Sequence, residues 1–256
     1  MNNSLPSGRA YRIGMIVPSS NVTMETEVPA LLRRQPGNDA VGFTFHSARV
    51  RLRHVTPDAL RAMNGAAGDA VHLLGDAQVD RILYACLVAT MYDGRTGVQT
   101  TTETLDRSAQ ATATRPAVIT SAGALITALG ALKARSVTMI TPYRKELTQK
   151  VAQAIDEYGI TVRQTHSLEV VDNAEVGQLD PANLLTVAAG MDLSGSDALV
   201  LSACVQMPSL AVIDAAEQRF GLPVVSAATA SVYTLLTSLG IEPAIPDAGR
   251  LLMHPN

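Results

Sequence analysis

The sequence predicts an α/β fold of two pseudo-symmetric, doubly wound lobes, each built on a mainly parallel sheet, with the functional site in the cleft between them. Three observations support this prediction. Strand-length runs rich in Val, Ile and Leu alternate with helical stretches along the chain, which is the pattern of βα units. Several runs are apolar on both faces, as in parallel strands that helices cover on both sides. Landmarks of the first half also recur, in the same order, in the second half.

The predicted elements follow one another in a regular order. Each strand is followed by a helix-length connection, which can lead the chain back to begin the next strand in parallel. Apolar runs predict strands at residues 12–17, 41–50, 81–85, 117–120, 136–141, 161–171, 198–203 and 223–226. The segments between and after them predict helices at residues 23–33, 57–74, 94–109, 122–134, 144–158, 181–191, 209–220 and 229–239.

Three pairs of landmarks define the internal repeat. GMIVPSS, which begins at Gly14, resembles TMITPYR, which begins at Thr138, and each strand ends in proline at a strand-to-helix turn. The strands that precede Cys86 and Cys204 form the second pair. In the third pair, the runs RPAVITS and GLPVVSA each lead into an alanine-rich helix. Three landmarks that recur in the same order indicate a duplicated α/β unit.

The repeat also predicts how the chain divides. We expect a first lobe at residues 10–118 and a second lobe at residues 119–226. The C-terminal helix, within residues 227–256, is expected to pack back on the first lobe. No Pro- or Gly-rich linker separates the halves, so the two lobes should be closely packed.

Composition excludes several functional classes. A formal net charge of −3 gives no electrostatic reason to expect a nucleic-acid partner or an anionic membrane surface. The longest apolar runs have strand length, so no membrane span is predicted, and residues 1–12 lack the apolar core of a secretory signal. Two cysteines without an export signal favour free thiols in a reducing cytoplasm. The five histidines show no ligand spacing near either cysteine, so we expect no metal site.

Common motifs of other enzyme classes are missing from the sequence. No Gly-x-Gly-x-x-Gly or Walker-type loop is found, so a nucleotide cofactor has no support. No Gly-x-Ser-x-Gly elbow is found either, which disfavours a serine hydrolase. Arg49, Arg51 and Arg53 alternate at the end of a predicted strand and are interpreted as a solvated or lid-adjacent face.

The two cysteines follow matching strands of the repeat. Cys86 follows the run RILYA, and Cys204 follows the run ALVLSA. Ligands of parallel α/β sheets bind at the carboxyl ends of the strands, so two equivalent thiols could face each other across one cleft. The turn after Cys86 can aim backbone N–H groups at the sulfur, which would lower the thiol pKa from its ordinary value of about 8.5.

A pair of thiols around a substrate has a limited set of chemical roles. They can act as nucleophile and acid, or as two acid–base groups on opposite faces. Two structural alternatives stay open for Cys86 and Cys204. A free cysteine is often a small buried hydrophobe, and two cysteines with Cα atoms within about 7 Å can form a disulfide, although a reducing compartment disfavours one.

Polar side chains in three turns are further candidates. Asn21 follows the first strand, where helix capping is an ordinary role for asparagine, and its amide can also donate to a carboxylate. Tyr143 occupies the matching turn of the second half, where a cap does not explain a tyrosine. Asn173 follows a long predicted strand and, taken alone, is interpreted as a loop residue.

Taken together, these residues resemble the maleate cis–trans isomerases of the Asp/Glu racemase superfamily. The resemblance covers nearly the whole chain and is most specific in VPSSNVTME, which begins at Val17. Cys86, the run TPY that ends at Tyr143, and the run SAC that ends at Cys204 fall where the superfamily's motifs fall. Arylmalonate decarboxylases are similar but lack the cysteine of the first half, so the presence of both cysteines favours the isomerase branch. Asn21 and Asn173 favour this branch over the amino-acid racemases.

The resemblance implies a cofactor-independent conversion of maleate to fumarate. Cys86 thiolate would add to C2 of maleate and give a succinyl-cysteine adduct with carbanion character at C3. Rotation about the new single bond, followed by loss of the sulfur, would give fumarate. Cys204, on the opposite side, would donate and accept a proton or stabilise the intermediate.

The resemblance also implies which groups hold the substrate carboxylates. These are the side chains of Asn21, Tyr143 and Asn173 and the turn amides of Leu87, Val88 and Val205. A role in aromatic or nicotinate breakdown is implied in the same way, and a homodimer is the common default for such folds. Two other functions stay open: a racemase or epimerase with the cysteines as acid and base, and a non-enzymatic protein that binds small dicarboxylates.

Overall fold

The computed structural model describes residues 9–36 and 41–253. The described part of the first half contains β1 (Arg9–Pro18), α1 (Met24–Arg34), β2 (Val41–Val50), α2 (Pro57–Asp76), β3 (Arg81–Tyr84), α3 (Leu87–Met91), α4 (Gly94–Gln110) and β4 (Ala117–Thr120). The rest of the described chain contains α5 (Ser121–Ala131), β5 (Ser136–Thr141), α6 (Lys145–Asp156), β6 (Thr161–Ser167), α7 (Asn173–Val176), α8 (Ala182–Ala189), β7 (Ala198–Ser202), α9 (Ile213–Phe220), β8 (Val224–Ser226) and α10 (Ala227–Ser238). Short 3₁₀ turns lie at Leu210–Val212 and Arg250–Leu252.

The described strands form two parallel sheets with the same topology. The strand order is β2-β1-β3-β4 in the first sheet and β6-β5-β7-β8 in the second, and the paired strands run parallel throughout. The predicted α/β fold of two equivalent, doubly wound halves is therefore confirmed. The strands that precede the two cysteines, β3 and β7, occupy the same interior position in their sheets. Every residue of β7 is buried, as expected for a parallel strand that is covered on both faces.

Local capping explains why matching helices begin at matching points. Thr120, at the end of β4, accepts the Gly123 N–H through its Oγ1 at 3.1 Å. Ser226, at the end of β8, accepts the Thr229 N–H at 3.2 Å. A hydroxyl of this kind satisfies an N–H group that has no partner inside the helix. Residues of the same type therefore begin α5 and α10 directly after equivalent strands.

The prediction of a strand at 161–171 was wrong beyond Ser167, where β6 ends. The next residues fold over the end of β5 instead of continuing beside it. Leu168 N–H donates to the Thr141 carbonyl at 2.9 Å, and Val170 N–H donates to the Pro142 carbonyl at 2.9 Å. Between them Glu169 takes a φ of 56°, a left-handed conformation that turns the chain out of the sheet.

The C-terminal segment contacts the first half of the chain. The Arg81 guanidinium donates to the Ser238 carbonyl at 2.7 Å. The Gln35 carboxamide donates to the Glu242 carbonyl at 2.9 Å and accepts the Ala244 N–H at 3.1 Å. These contacts join the last residue of α10 and the segment after it to the first half, while the packing of the terminal helix on a first lobe stays a prediction. The division at 118/119 stays a prediction, β4 itself continues to Thr120, and residues 254–256 lie outside the described ranges. No helix in the described ranges is long and apolar enough to cross a membrane.

Candidate active site

Both cysteines lie at the carboxyl ends of equivalent strands. Cys86 directly precedes α3, and Cys204 lies two residues after the end of β7. Their side chains are 2% and 4% exposed, respectively, and both are free thiols. The disulfide alternative is therefore wrong for this structure, whereas burial alone does not separate a reactive thiol from a packed one.

The segment after Cys86 is helical from its first residue. The turn expected after Cys86 is the start of a helix, because Leu87–Met91 forms α3 and is fully buried. The Cys86 carbonyl accepts the Thr90 N–H at 3.3 Å and the Thr90 hydroxyl at 2.8 Å. The Ala89 N–H bonds to the Cys86 sulfur. The amides of Leu87 and Val88 belong to the first turn, where N–H groups have no partner inside the helix.

Cys204 lies in a non-helical segment and has more hydrogen-bond donors. The Gln206 N–H donates to the Cys204 sulfur at 3.3 Å, and the Met207 N–H also bonds to it. The Tyr143 hydroxyl donates to the same sulfur. The tyrosine that the sequence singled out in the turn after β5 is therefore a hydrogen-bond partner of one of the two thiols.

The thiol pKa values of Cys86 and Cys204 are both raised, whereas a lowered pKa was expected for Cys86. Burial raises the pKa of Cys86 to about 12, the Ala89 N–H lowers it, and the charge of a Cys204 thiolate raises it further. Burial also raises the pKa of Cys204, while Tyr143, Gln206 and Met207 lower it. The expected depression of the Cys86 pKa was wrong, because desolvation of the thiolate outweighs one amide dipole.

Asn21 links the two halves of the molecule at the site. Its side chain is fully buried. Its Nδ2 donates to the Val205 carbonyl at 3.0 Å, and its Oδ1 accepts the Met24 N–H at 3.1 Å. One side chain therefore accepts an N–H group of the first turn of α1 and also contacts the segment that carries Cys204, whereas its carboxylate-binding role stays a prediction.

Asn173 lies beside the same turn of the first half. It is the first residue of α7 and is 5% exposed. Its Nδ2 donates to the Ser20 hydroxyl at 2.6 Å. The sequence alone described Asn173 as a loop residue, and only the tertiary structure brings it to Ser20, 153 positions away.

The sequence interpretation did not assign two residues to the site, Gln206 and Arg49, the second of which it placed on a solvated or lid-adjacent face. The Arg49 guanidinium donates to the Ser19 carbonyl at 3.1 Å and to the Asn21 carbonyl at 2.9 Å, so this arginine positions the turn. Gln206 is 2% exposed and hydrogen-bonds to both halves. Its position two residues after Cys204 was the only feature of the sequence that could have pointed to it.

A cavity of about 500 Å³ is lined by two of the candidate site residues and by neither cysteine. Tyr143 and Asn173 line it, and most of its other walls are aliphatic. Exposed charged side chains also line it, among them those of Arg144 and Lys150. Tyr143 therefore both lines the cavity and interacts with Cys204. Within the described ranges no group of three or more His, Cys, Asp or Glu side chains could hold a metal ion, and His254 lies outside those ranges.

Comparisons with known proteins identify relatives along nearly the whole chain. A family model described as arylmalonate decarboxylase matches residues 13–252. A maleate isomerase of Nocardia farcinica is 47% identical over 242 residues, which cover 94% of this chain and 95% of the relative. A maleate isomerase of Pseudomonas putida is 48% identical over 245 residues, which cover 94% of this chain and 97% of the relative.

Solved structures agree with these relatives. The maleate isomerase Iso from Pseudomonas putida S16 matches with a TM-score of 0.93 at 43% identity, over 95% of this chain and 98% of that one. A cysteine-to-serine variant of the Nocardia farcinica maleate cis–trans isomerase, with a covalently bound succinylcysteine intermediate, matches with a TM-score of 0.93 at 44% identity, over 97% of this chain and 100% of that one. Arylmalonate decarboxylase, at 22% identity and a TM-score of 0.72, shares the fold.

The duplicated parallel sheets and the pair of buried thiols define a two-lobed isomerase with the Asp/Glu racemase-like fold. Within that class, identities of 45–48% to curated relatives over nearly all of the chain decide the family. The chain belongs to the maleate isomerase family.

Proposed function

We propose that this protein isomerises maleate to fumarate through a covalent succinyl-cysteine intermediate on Cys86. The observation that carries the proposal is the pair of buried thiols at equivalent strand ends, in a chain 44% identical to an isomerase whose structure holds a succinylcysteine. A thiol is suited to this reaction because sulfur adds to an activated alkene and leaves again, which makes the blocked double bond temporarily single.

The bond changes balance without a co-reactant. The Cys86 sulfur forms a bond to C2, and the π electrons of C2=C3 move to C3 and its carboxylate. Rotation about C2–C3 then exchanges the cis and trans arrangements. When the C2–S bond breaks, its electrons return to sulfur and the double bond reforms as fumarate. If C3 is protonated in between, a thiol has added across the double bond, and one of the two hydrogens then on C3 leaves before sulfur does.

Cys204 is proposed to act on C3 from the side opposite Cys86. Three donors contact its sulfur, those of Tyr143, Gln206 and Met207, which lowers the cost of forming a thiolate there. Cys204 can therefore give a proton to C3 and hold the negative charge that results. Deuterium in the fumarate formed in D₂O supports this proton transfer, because it shows that C3 gained a hydrogen from an exchangeable group and lost its original one.

Positioning of the two carboxylates is the second requirement. Asn21, Tyr143 and Asn173, with the amides of Leu87, Val88 and Val205, are proposed to hold them. The position of Tyr143 and Asn173 on the cavity wall supports this assignment. So do the N–H groups of Leu87 and Val88, which have no partner inside α3, because donors fixed before the reaction stabilise the charge that develops on an enediolate-like carboxylate.

The test is the conversion of maleate by purified protein without added cofactor, followed by proton NMR. Fumarate should form, and a Cys204→Ala variant treated with maleate should carry a succinyl mass on the peptide that contains Cys86. Incubation of amino acids in D₂O provides the contrast, because a racemase would exchange their α-hydrogens. Maleate binding without fumarate formation would instead support the dicarboxylate-binding alternative.

We also propose that the protein is a cytoplasmic homodimer that acts in aromatic or nicotinate breakdown. Its free thiols suit a reducing compartment, and closed dimers are the commonest oligomers of soluble enzymes. Light scattering after size exclusion measures the oligomeric state directly.

A further inference from the structure

The buried carboxamide of Gln206 joins parts of the site that lie far apart in the sequence. Its Nε2 donates to the Ser20 carbonyl at 2.9 Å and to the Asn173 carbonyl at 3.1 Å. Its Oε1 accepts the Val22 N–H at 3.0 Å. One side chain of the second half therefore holds the turn of the first half on both sides of Asn21 and also holds the backbone of Asn173.

The backbone of Gln206 connects the same network to the second thiol. Its N–H donates to the Cys204 sulfur at 3.3 Å, and its carbonyl accepts the Thr23 hydroxyl at 2.7 Å. Every hydrogen-bonding group of this residue therefore has a partner. The residue is 2% exposed, so water does not compete for these bonds, and a lost bond would leave a buried polar group unsatisfied.

The donors and acceptors of this network require an amide. Two carbonyl oxygens face Nε2 and one N–H faces Oε1. Glutamate has the same shape, but an ionised carboxylate would direct an acceptor at both carbonyls. A protonated carboxyl would restore one donor, so such a variant should work better at low pH.

Gly177 leaves space for the Gln206 carboxamide. A Cβ atom at this position would lie 2.6 Å from Nε2 and 3.1 Å from Cδ of Gln206. The φ of Gly177 is −70°, which any residue can adopt, so the requirement for glycine is one of space and not of conformation. Gly190 follows α8 as Gly177 follows α7, and its φ is −88°. The nearest atom to a Cβ at Gly190 would be 3.5 Å away.

We propose that Gln206 is a positioning residue, which sets Asn21, Asn173 and the Cys204 thiol at fixed distances from one another across the two halves. Only the kinetic part of this inference rests on the proposed function. Gln206 acts through the groups it holds: the carboxylate-binding side chains on one side and the sulfur on the other. Misplacement of such groups by about 1 Å can cost about 100-fold in rate.

The kinetic test compares Gly177→Ala with Gly190→Ala and adds Gln206→Glu. Gly177→Ala should raise KM for maleate and lower kcat/KM by up to about 100-fold, whereas Gly190→Ala should leave both unchanged. In Gln206→Glu, kcat/KM relative to the unmodified protein should fall as pH rises through the pKa of the new carboxyl. Circular dichroism at the assay temperature checks that each variant is folded, and the glycine pair carries the test if Gln206→Glu does not fold.

A second readout requires no turnover. In a Cys86→Ala background Cys204 is the only cysteine, so the ultraviolet absorbance of its thiolate can be titrated against the variant that lacks both cysteines. Gly177→Ala should shift this titration to higher pH, because displacement of Gln206 removes an N–H group that favours the thiolate. Gly190→Ala should not shift it.

The two readouts separate the failure of the inference from the failure of the proposed function. If the unmodified protein does not isomerise maleate but Gly177→Ala shifts the thiol titration, the proposed function is wrong and the positioning role stands. Equal kinetics and equal titrations for Gly177→Ala and Gly190→Ala would overturn the positioning role.

Discussion

The segments that follow β3 and β7 begin at equivalent points of the repeat and then differ in structure. After β3 the chain enters α3 at Leu87, and one backbone amide, that of Ala89, bonds to the Cys86 sulfur. After β7 the chain stays non-helical through Met207, and the Cys204 sulfur has two backbone donors and the Tyr143 hydroxyl. Two thiols in equivalent positions of the fold thus have different numbers of donors, because the segment after each strand and the Tyr143 side chain from the turn after β5 differ around the two sulfurs.

The difference agrees with the proposed division of roles. More hydrogen-bond donors stabilise a thiolate at Cys204 than at Cys86, and a group that gives and takes a proton requires such stabilisation. Cys86 has a pKa raised to about 12, and a thiolate of high pKa is intrinsically the stronger nucleophile. The site therefore combines a reactive but rarely ionised sulfur with a better stabilised one, and each prediction below tests that asymmetry.

The largest effect is expected from removal of the nucleophile. Cys86→Ala should lower kcat/KM for maleate by at least about 10⁴-fold, because no covalent route to rotation is left. Cys204→Ala should retain adduct formation on Cys86 and lose turnover. Mass spectrometry of the two variants after maleate treatment measures this directly. An adduct on Cys204 in the Cys86→Ala variant would reverse the assignment.

Loss of the tyrosine donor should have the next largest effect. Tyr143→Phe removes the side-chain donor to the Cys204 sulfur, so the pKa of Cys204 should rise and kcat should fall by about 100-fold or more. Stopped-flow or steady-state kinetics measure kcat, and titration of the thiolate in the Cys86→Ala background measures the pKa. Tyr158→Phe is the control, because Tyr158 contacts Arg95 and neither thiol. Unchanged kinetics in Tyr143→Phe would remove the main distinction between the two sulfurs.

The pH dependence of the reaction tests the raised pKa of Cys86. The attacking form is the thiolate. Because the pKa of Cys86 is raised to about 12, the fraction of thiolate continues to increase as pH rises toward that value. We expect kcat/KM to rise from about pH 7 to about pH 10 without a plateau. A plateau that begins near neutral pH would contradict the raised pKa of Cys86, because the pH dependence of kcat/KM reports the ionisation of the free enzyme.

The smallest effect concerns the contact between the halves. Glu27 of α1 is buried, and its Oε1 accepts the N–H groups of Ser209 and Leu210 at 2.7 and 2.8 Å. Glu27→Ala should lower the free energy of unfolding by about 1.5–3 kcal/mol, the range for hydrogen bonds to a charged group. Glu27→Gln should cost less, because it keeps an acceptor.

The pH dependence of the free energy of unfolding tests the raised pKa of Glu27. Burial raises its pKa above 4.5 in the folded state, so the folded protein binds the proton more tightly than the unfolded chain does. Stability should therefore fall as pH rises from 4.5 to the folded pKa, and it should not do so in Glu27→Gln. Urea unfolding at several pH values measures this. Identical curves for the two proteins would exclude a contribution from Glu27.

Much of the fold and part of the candidate site could be predicted from local patterns. Strand-length apolar runs and the order of landmarks predicted the two equivalent parallel sheets, because side-chain periodicity and connection length are properties of neighbouring residues. Pro18 and Pro142 marked matching turns, and Cys86 and Cys204 marked matching strand ends. The family resemblance supplied Asn21 and Asn173, which local pattern alone did not distinguish from a cap and a loop residue.

The sequence by itself thus determined the α/β class, the repeat and the equivalence of the two thiols, since these depend on the order of residue types along the chain. Only the tertiary structure decided what makes the thiols unequal. Burial of Cys86 reverses the pKa shift that its neighbouring amides predict, because desolvation depends on all the elements packed around the sulfur. Gln206 reaches Ser20 across 186 positions, and such contacts arise from the docking of two folded halves, which no local pattern encodes.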